Sequence, residues 1–326
     1  MAAATASFRL FLALVLATVC SLHTRAAEPY PNRPVHIVVP FAAGGAVDTL
    51  GRLIGAKLAE GFKQPVIIEN RAGAGGNLAA DAVAKAAADG HTILLTTNGH
   101  AIAPSLYRKL PFDPVQDFVP VTQVVASSLV LVASPKSQLA TLQDLIAAAK
   151  ARPGSLNFGS TGIGNPLHLT MEMIKAACGI DIQPVPYRGD APLNAALIAG
   201  DVEVAVVPMV TARPLIEDGR LRALAVTGAQ RVPARPQVKT LMEQGVAVDS
   251  SSWIAFFAPA RTPPDIVQAI QRETRKVLDM ADVQARIRAF GSEPVGSAPE
   301  EFAKKFAGDI ARFAEIVEKA RIPKQD

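Results

Sequence analysis

The sequence predicts an α/β protein of two lobes, each a mixed, mostly parallel sheet flanked by helices, with two strands passing between the lobes as a hinge. Three observations predict it. Strand and helix patterns alternate as βαβαβ from Val35 to Thr97, the order of an open, mostly parallel sheet. The same plan returns between Leu156 and Val207. Two long apolar stretches, 121–133 and 252–258, separate these blocks. The chain is therefore expected to leave the first lobe, build the second and return, and two crossings make a hinge beside a cleft. The boundaries that follow are 27–128 plus 252–326 for the first lobe and 129–251 for the second.

Val35–Pro40 is an almost unbroken apolar run, as in a strand buried on both faces. Pro40-Phe41-Ala42-Ala43-Gly44-Gly45-Ala46-Val47-Asp48 follows, and then Val47, Leu50, Ile54 and Leu58 make a helical stripe. Two readings fit this glycine turn. One is an ordinary βα connection. The other is an anion site, because the first N–H groups of a helix lack intrahelical partners and carry partial positive charge. Val66–Glu69 reads as a second strand, and Asn77 as the N-cap of a helix over 78–87. Thr92–Thr97 is a third strand, ending in the loop Thr97-Asn98-Gly99-His100. Ligands of such sheets sit beyond the carboxyl ends of the strands, where both loops fall.

Residues 104–120 read as irregular, and Val121–Ala133 as one apolar strand. Thr141–Ala151 is a helix and Leu156–Phe158 a strand. Gly159-Ser160-Thr161-Gly162-Ile163-Gly164-Asn165-Pro166 then repeats the opening design, with Ser160, Thr161 and Asn165 as added donors and Pro166 starting the helix. Ile182–Val185 leads into Pro186-Tyr187-Arg188-Gly189-Asp190, followed by a helix to Ala199 and strands at 202–207 and 221–226. Trp253–Pro259 is another strand. Two amphipathic helices close the chain, 264–279 and 299–320, the last with Phe302, Phe306, Ile310, Phe313 and Val317 on one face.

Residues 1–26 read as a cleavable secretory signal. Arg9 precedes an apolar core from Leu10 to Leu22, shorter than the roughly 20 residues of a spanning helix. Thr24 and Ala26 supply small residues at the cleavage site, and Val19 is too bulky for a lipid-attachment box at Cys20. Periplasmic localisation follows. Losing Arg9 and Arg25 brings the formal net charge of +4 close to neutral. With no Lys/Arg run and no basic stripe interleaved with aromatics, no nucleic-acid partner is expected. Cys178 remains as a single thiol on the stripe Leu167, Met171, Ile174, Cys178, and reads as a buried structural cysteine.

No complete catalytic motif appears. Ser160 lies in Gly-Ser-Thr-Gly, not Gly-x-Ser-x-Gly, and the glycine loops complete neither a P-loop nor a dinucleotide fingerprint. His36, His91, His100 and His168 lack metal-ligand spacing. No cofactor and no metal are expected. His100 and His168 stand beside the candidate ligand loops, as solvated or capping histidines or as ligand contacts. Asp48 either stabilises a helix N-terminus or meets a ligand amine. Arg71 and Arg188 are either solvated or partners for a carboxylate. Three function classes are in play: a binding protein, a secreted α/β hydrolase, for which the sequence holds no nucleophile–base pair, and an interaction protein with an empty cleft.

Several motifs together resemble the Bug (TctC-like) family of periplasmic solute receptors of the tripartite tricarboxylate transporter type. They are Tyr30-Pro31-x-Arg33-Pro34, Pro40-Phe41-x-Ala43-Gly44-Gly45-x-x-Asp48, Glu69-Asn70-Arg71-x-Gly73-Ala74-Gly75-Gly76-Asn77, Leu110-Pro111-Phe112-Asp113-Pro114, Pro186-Tyr187-Arg188-Gly189 and Leu221-Arg222-Ala223-Leu224-Ala225-Val226-Thr227. The match runs along essentially the whole mature chain. It implies a type II periplasmic-binding fold, monomeric and not an enzyme, that closes on a small organic carboxylate and presents it to transporter membrane subunits or a periplasmic sensor domain. It also implies a ligand site. Phe41, Ala43, Gly44, Gly45, Ala46 and Asp48 would hold a carboxylate through backbone N–H groups and water. Thr97, Asn98, Ser160, Thr161, Gly162, Asn165 and His168 would complete the pocket, with Tyr187, Gly189 and Pro208. Two departures stand out. Val47 replaces a common Thr or Ser, and Val206-Val207-Pro208-Met209 replaces a frequent Phe-Asp/Asn pair. They imply a more apolar floor, suited to an aromatic or aliphatic mono- or dicarboxylate rather than an amino acid.

Overall fold

The computed structural model describes residues 30–162, 165–232, 235–319 and 322–325. The expected signal segment lies outside them. Two mixed sheets organise the chain. The first has six strands in the order β11-β4-β10-β3-β1-β2, the second five in the order β7-β6-β8-β5-β9. The strands of the first are β1 (Val35–Val39), β2 (Val66–Asn70), β3 (Thr92–Thr97), β4 (Phe118–Ser127), β10 (Ser252–Pro259) and β11 (Ser292–Pro294). Those of the second are β5 (Leu129–Ala133), β6 (Asn157–Ser160), β7 (Gln183–Pro186), β8 (Val204–Pro208) and β9 (Arg222–Val226). Pairings of β1 with β2 and β3, and of β6 with β7 and β8, are parallel. Those made by β4, β5 and β10 are antiparallel. The antiparallel strands are the ones next to the passages between lobes, where the chain arrives from the other sheet instead of through a crossover helix.

Side-chain alternation builds two cores on the first sheet. Val35, Ile37, Val39, Ile93, Leu95 and Phe256 face helices α1 (Ala46–Phe62), α8 (Pro264–Leu278) and α9 (Ala281–Ala289). Val38, Leu94, Ala255 and Phe257 face α2 (Asn77–Ala84), α3 (Gly99–Leu106) and α10 (Pro299–Lys319). Neighbouring residues of one strand therefore serve opposite cores, which is why these strands read as continuous apolar runs. The α10 stripe behaves as expected: Phe302, Phe306, Phe313 and Val317 are buried and Ile310 is partly so. The second lobe has one core, from Leu129 to Val248, wrapped by α4 (Leu142–Ala151), α5 (Pro166–Cys178), α6 (Asp190–Ala199) and α7 (Met209–Glu217).

The structure corrects several sequence expectations. The run 121–133 is two strands in different sheets, divided at Ser128, whose N–H donates to Gly291 O and whose carbonyl accepts from Met209 N. Apolar composition cannot mark this division, because both strands are buried on both faces. Residues 99–106 form α3 despite Pro104, and α7 and α9 add helices the periodicity did not single out. Asn77 lies inside α2, with Gly76 at the N-cap. Cys178 is half-buried at the end of α5, against the second core.

The return crossing lies beside the first. Thr227 after β9 donates its Oγ1 to Ser250 O, and Ser252 at the start of β10 pairs with Ser127 at the end of β4. The two passages between lobes are thus hydrogen-bonded neighbours at the floor of the cleft.

Candidate functional site

The site begins with α1. Its N-cap is Gly45, which has no side chain to bond the first helical N–H groups. The cap comes from the other lobe. Asp190 Oδ2, at the first position of α6, accepts from Ala46 N at 2.8 Å across the cleft. A carboxylate therefore sits on the α1 N-terminus, where dipole and free donor coincide.

The surrounding loop is fixed by Asp48, whose Oδ2 accepts from Gly44 N at 2.8 Å and from Arg52 Nε at 3.0 Å. Its Oδ1 accepts from Asn70 Nδ2 at 3.0 Å, and Asn70 also donates to Phe41 O. Burial raises the Asp48 pKa, but the bonds from Arg52, Gly44 and Asn70 outweigh it and hold the carboxyl below its ordinary range. Gly44 takes φ 82°, a conformation that favours glycine. Gly189 takes φ 137° and lies so close to the first lobe that a Cβ there would approach Ala42 N to 3.1 Å. Ala42 N donates to Arg188 O at 3.3 Å. These contacts close the lobes on each other.

Between them lie two hollows. The inner one, about 30 Å³, is lined by Phe41, Ala46, Val47, Thr97, Ser127, Leu129, Thr161, Pro166, Leu167, Asp190, Pro208, Ser252 and Ile254. The outer one, about 620 Å³, is bounded by Phe41, Gly75, Thr161, Gly162, Tyr187 and Arg188, among others. Phe41 and Thr161 line both. The outer hollow is larger, but the inner one holds the helix N-terminus and Asp190, the only ionisable group among the described residues that line it. Its volume is close to that of one water molecule, too small for a carboxylate of several heavy atoms.

The sequence-predicted residues divide accordingly. Phe41, Ala46, Thr97, Thr161 and Pro208 line the inner hollow, and Gly162 and Tyr187 the outer one. Ala43, Gly44, Gly45, Asp48 and Gly189 shape the loops around them. Asn98 is buried: its Oδ1 accepts from Ser252 Oγ at 2.6 Å and its Nδ2 donates to Ser251 O at 3.3 Å. Asn165 is the N-cap of α5, accepting from Leu167 N and His168 N while donating to Thr161 Oγ1 and Gly162 O. Ser160 Oγ donates to Gly162 O. These three organise loops instead of lining the hollows.

His168 is buried against Phe158, with Nε2 3.9 Å from Glu172. Burial, and then Lys175, lower its pKa to about 4. His100 lies among Phe112, Phe118, Phe257 and Phe306, and burial lowers its pKa to about 3. Arg71 pairs with Glu69. Sequence reasoning missed Ser127, Leu129, Ser252, Ile254 and above all Asp190. The signal available for Asp190 was its place between Pro186-Tyr187-Arg188-Gly189 and the start of a helix. Burial pushes its pKa up to about 6, partly offset by the bond from Ala46.

Comparison with known proteins agrees with this architecture. Residues 50–322 match the family model described as tripartite tricarboxylate transporter family receptor. Protein BugT of Bordetella pertussis is 37% identical over 294 residues, covering 89% of this chain and 90% of BugT. A Rhodopseudomonas palustris protein, Rpa4515, solved with adipate, superposes with a TM-score of 0.88 at 35% identity, over 91% of this chain and 100% of that one. MatC of R. palustris, solved with bound malate, gives 0.85 at 33% identity, over 88% and 100%. In sequence and in three dimensions, then, the chain belongs to the TctC family of tripartite tricarboxylate transporter receptors.

Proposed function

We propose that this chain is a periplasmic receptor that captures a small organic carboxylate between its lobes, without turning it over, and presents it to transporter membrane subunits or a sensor domain. The lobes of this reading are 27–128 with 252–326, and 129–251. The observation that carries it is the carboxylate of Asp190 on Ala46 N. The cleft already accommodates the functional group that its ligand would bring. The relatives with adipate and malate support the ligand class, and Leu129, Pro208 and Ile254 offer an apolar floor for an aliphatic or aromatic body.

Capture without turnover is favoured by the two serine hydroxyls of the inner hollow. Ser252 Oγ donates to Asn98, Ser127 Oγ accepts from Ser292 Oγ, and neither bonds an imidazole. The test is a thermal-shift screen of the secreted form against adipate, malate, glutarate and benzoate. A ligand should raise the midpoint with dose, following RT ln(1 + [L]/Kd), and should be recovered unchanged. No dose-dependent shift with any carboxylate, or recovery of a product, would overturn this function.

A further inference from the structure

We propose that Asp190 is the specificity-determining residue of the cleft and makes ligand capture proton-coupled, with the ligand carboxylate and Asp190 sharing one proton at the N-terminus of α1. The proposal rests on the receptor reading and deepens it.

Three observations lead to it. First, Asp190 already takes the Ala46 N–H, so an incoming carboxylate at that terminus lies against a second carboxylate. Second, among the described residues no Lys, Arg, His or other acid lines the inner hollow. The charged groups on the neighbouring elements are engaged elsewhere or stand outside the hollow. Asp48 on α1 is paired with Arg52, Arg71 after β2 with Glu69, and His168 on α5 lies near Glu172, while Arg188 before α6 is exposed. Third, the position is tight: a Cβ on Gly45 would come within 3.0 Å of Asp190 Oδ2. Two ionised carboxylates in a buried, cation-free space repel strongly, and such pairs resolve the conflict by holding one proton between them. The burial that raises the pKa of Asp190 to about 6 makes it the ready acceptor of that proton.

The balance is simple. A ligand carboxylate and an Asp190 carboxylate, each singly negative, take one proton from solvent and become a hydrogen-bonded pair of charge −1. No other bond forms or breaks. A ligand whose inner end cannot accept a hydrogen bond from the protonated Asp190, such as an ammonium, is disfavoured.

The experiment is calorimetric titration of adipate, malate, glutarate and benzoate into the protein at pH 7.5, in phosphate and in Tris. The two buffers differ in ionisation enthalpy, so the difference in observed heat counts protons. The expected result for a ligand that binds is uptake of about one proton per ligand, with affinity falling about tenfold per pH unit above pH 7. In Asp190→Asn the acceptor for Ala46 is kept and the amide can donate to the ligand. Uptake should fall to near zero, and affinity at pH 7.5 should rise about tenfold. The wild-type measurement decides even if the variant does not fold. Binding without proton uptake by the wild type, or uptake unchanged in Asp190→Asn, overturns the proposal and leaves the receptor reading standing. If none of the four carboxylates binds either protein, the receptor reading falls and the proposal with it.

Discussion

Gly44 N donates to Asp48 Oδ2 at 2.8 Å, so the acid at the mouth of the opening loop holds its own loop in shape. Asp48 also receives Arg52 and Asn70, which leaves little of it for a ligand amine. Asp48→Ala is expected to leave the Gly44 N–H and the Asn70 amide without their acceptor. The cost should be about 1–3 kcal/mol in urea unfolding, together with weaker carboxylate binding. Because its folded pKa is lowered, the contribution of Asp48 is present above its unfolded pKa of about 3.9 and is lost as pH falls through the folded value. Equal stability of variant and wild type at pH 7 would refute this role.

Gly45 has an ordinary φ of −80°, so its backbone does not demand glycine. A side chain there meets Asp190 Oδ2 at 3.0 Å. Gly45→Val should therefore fold with nearly native stability yet hold the lobes apart and lose carboxylate binding. Small-angle scattering is the check. A radius of gyration equal to the wild type, or unchanged affinity by calorimetry, would count against the assignment.

Asp190 gives a second pH signature, independent of ligand. Its folded pKa of about 6 lies above the ordinary unfolded value. The folded state thus holds this proton more tightly, and the associated stability is full below about pH 4 and is lost as pH rises through about 6. The whole effect is at most about 3 kcal/mol. Asp190→Asn should gain on the wild type as pH rises from 4 to 8. Parallel stability curves for the two proteins would show that burial of the charge costs nothing.

Asn165 lines neither hollow but caps α5 and ties down Thr161 and Gly162. Asn165→Ala should cost about 1–2 kcal/mol through the lost cap. It should also weaken ligand binding, because Thr161 loses its tether. Asn165→Asp keeps the capping acceptor and should restore most of the stability but not the two donated bonds. If Asn165→Ala binds carboxylates as the wild type does, the tether is irrelevant to the site.

The sequence by itself determined most of the element types, though not the helices at 99–106, 209–217 and 281–289, and it marked the candidate ligand loops. Val35–Val39, Leu50–Leu58 and the α10 stripe carry their burial pattern in their own periodicity, and a glycine turn between strand and helix marks a helix N-terminus wherever it occurs. Whole-chain motifs determined the family in the same way. The tertiary structure alone decided three things. It split the apolar run 121–133, read as one strand, into two strands of different sheets, because apolar composition does not show where one buried strand ends and the next begins. It assigned Asn98, Asn165 and Asp48 to internal hydrogen bonds, because a side chain in a ligand loop satisfies a neighbouring backbone group as readily as a ligand. And it brought Asp190 to Ala46, residues 144 apart in the chain, because closure of two separately folded lobes places groups together that no local pattern relates.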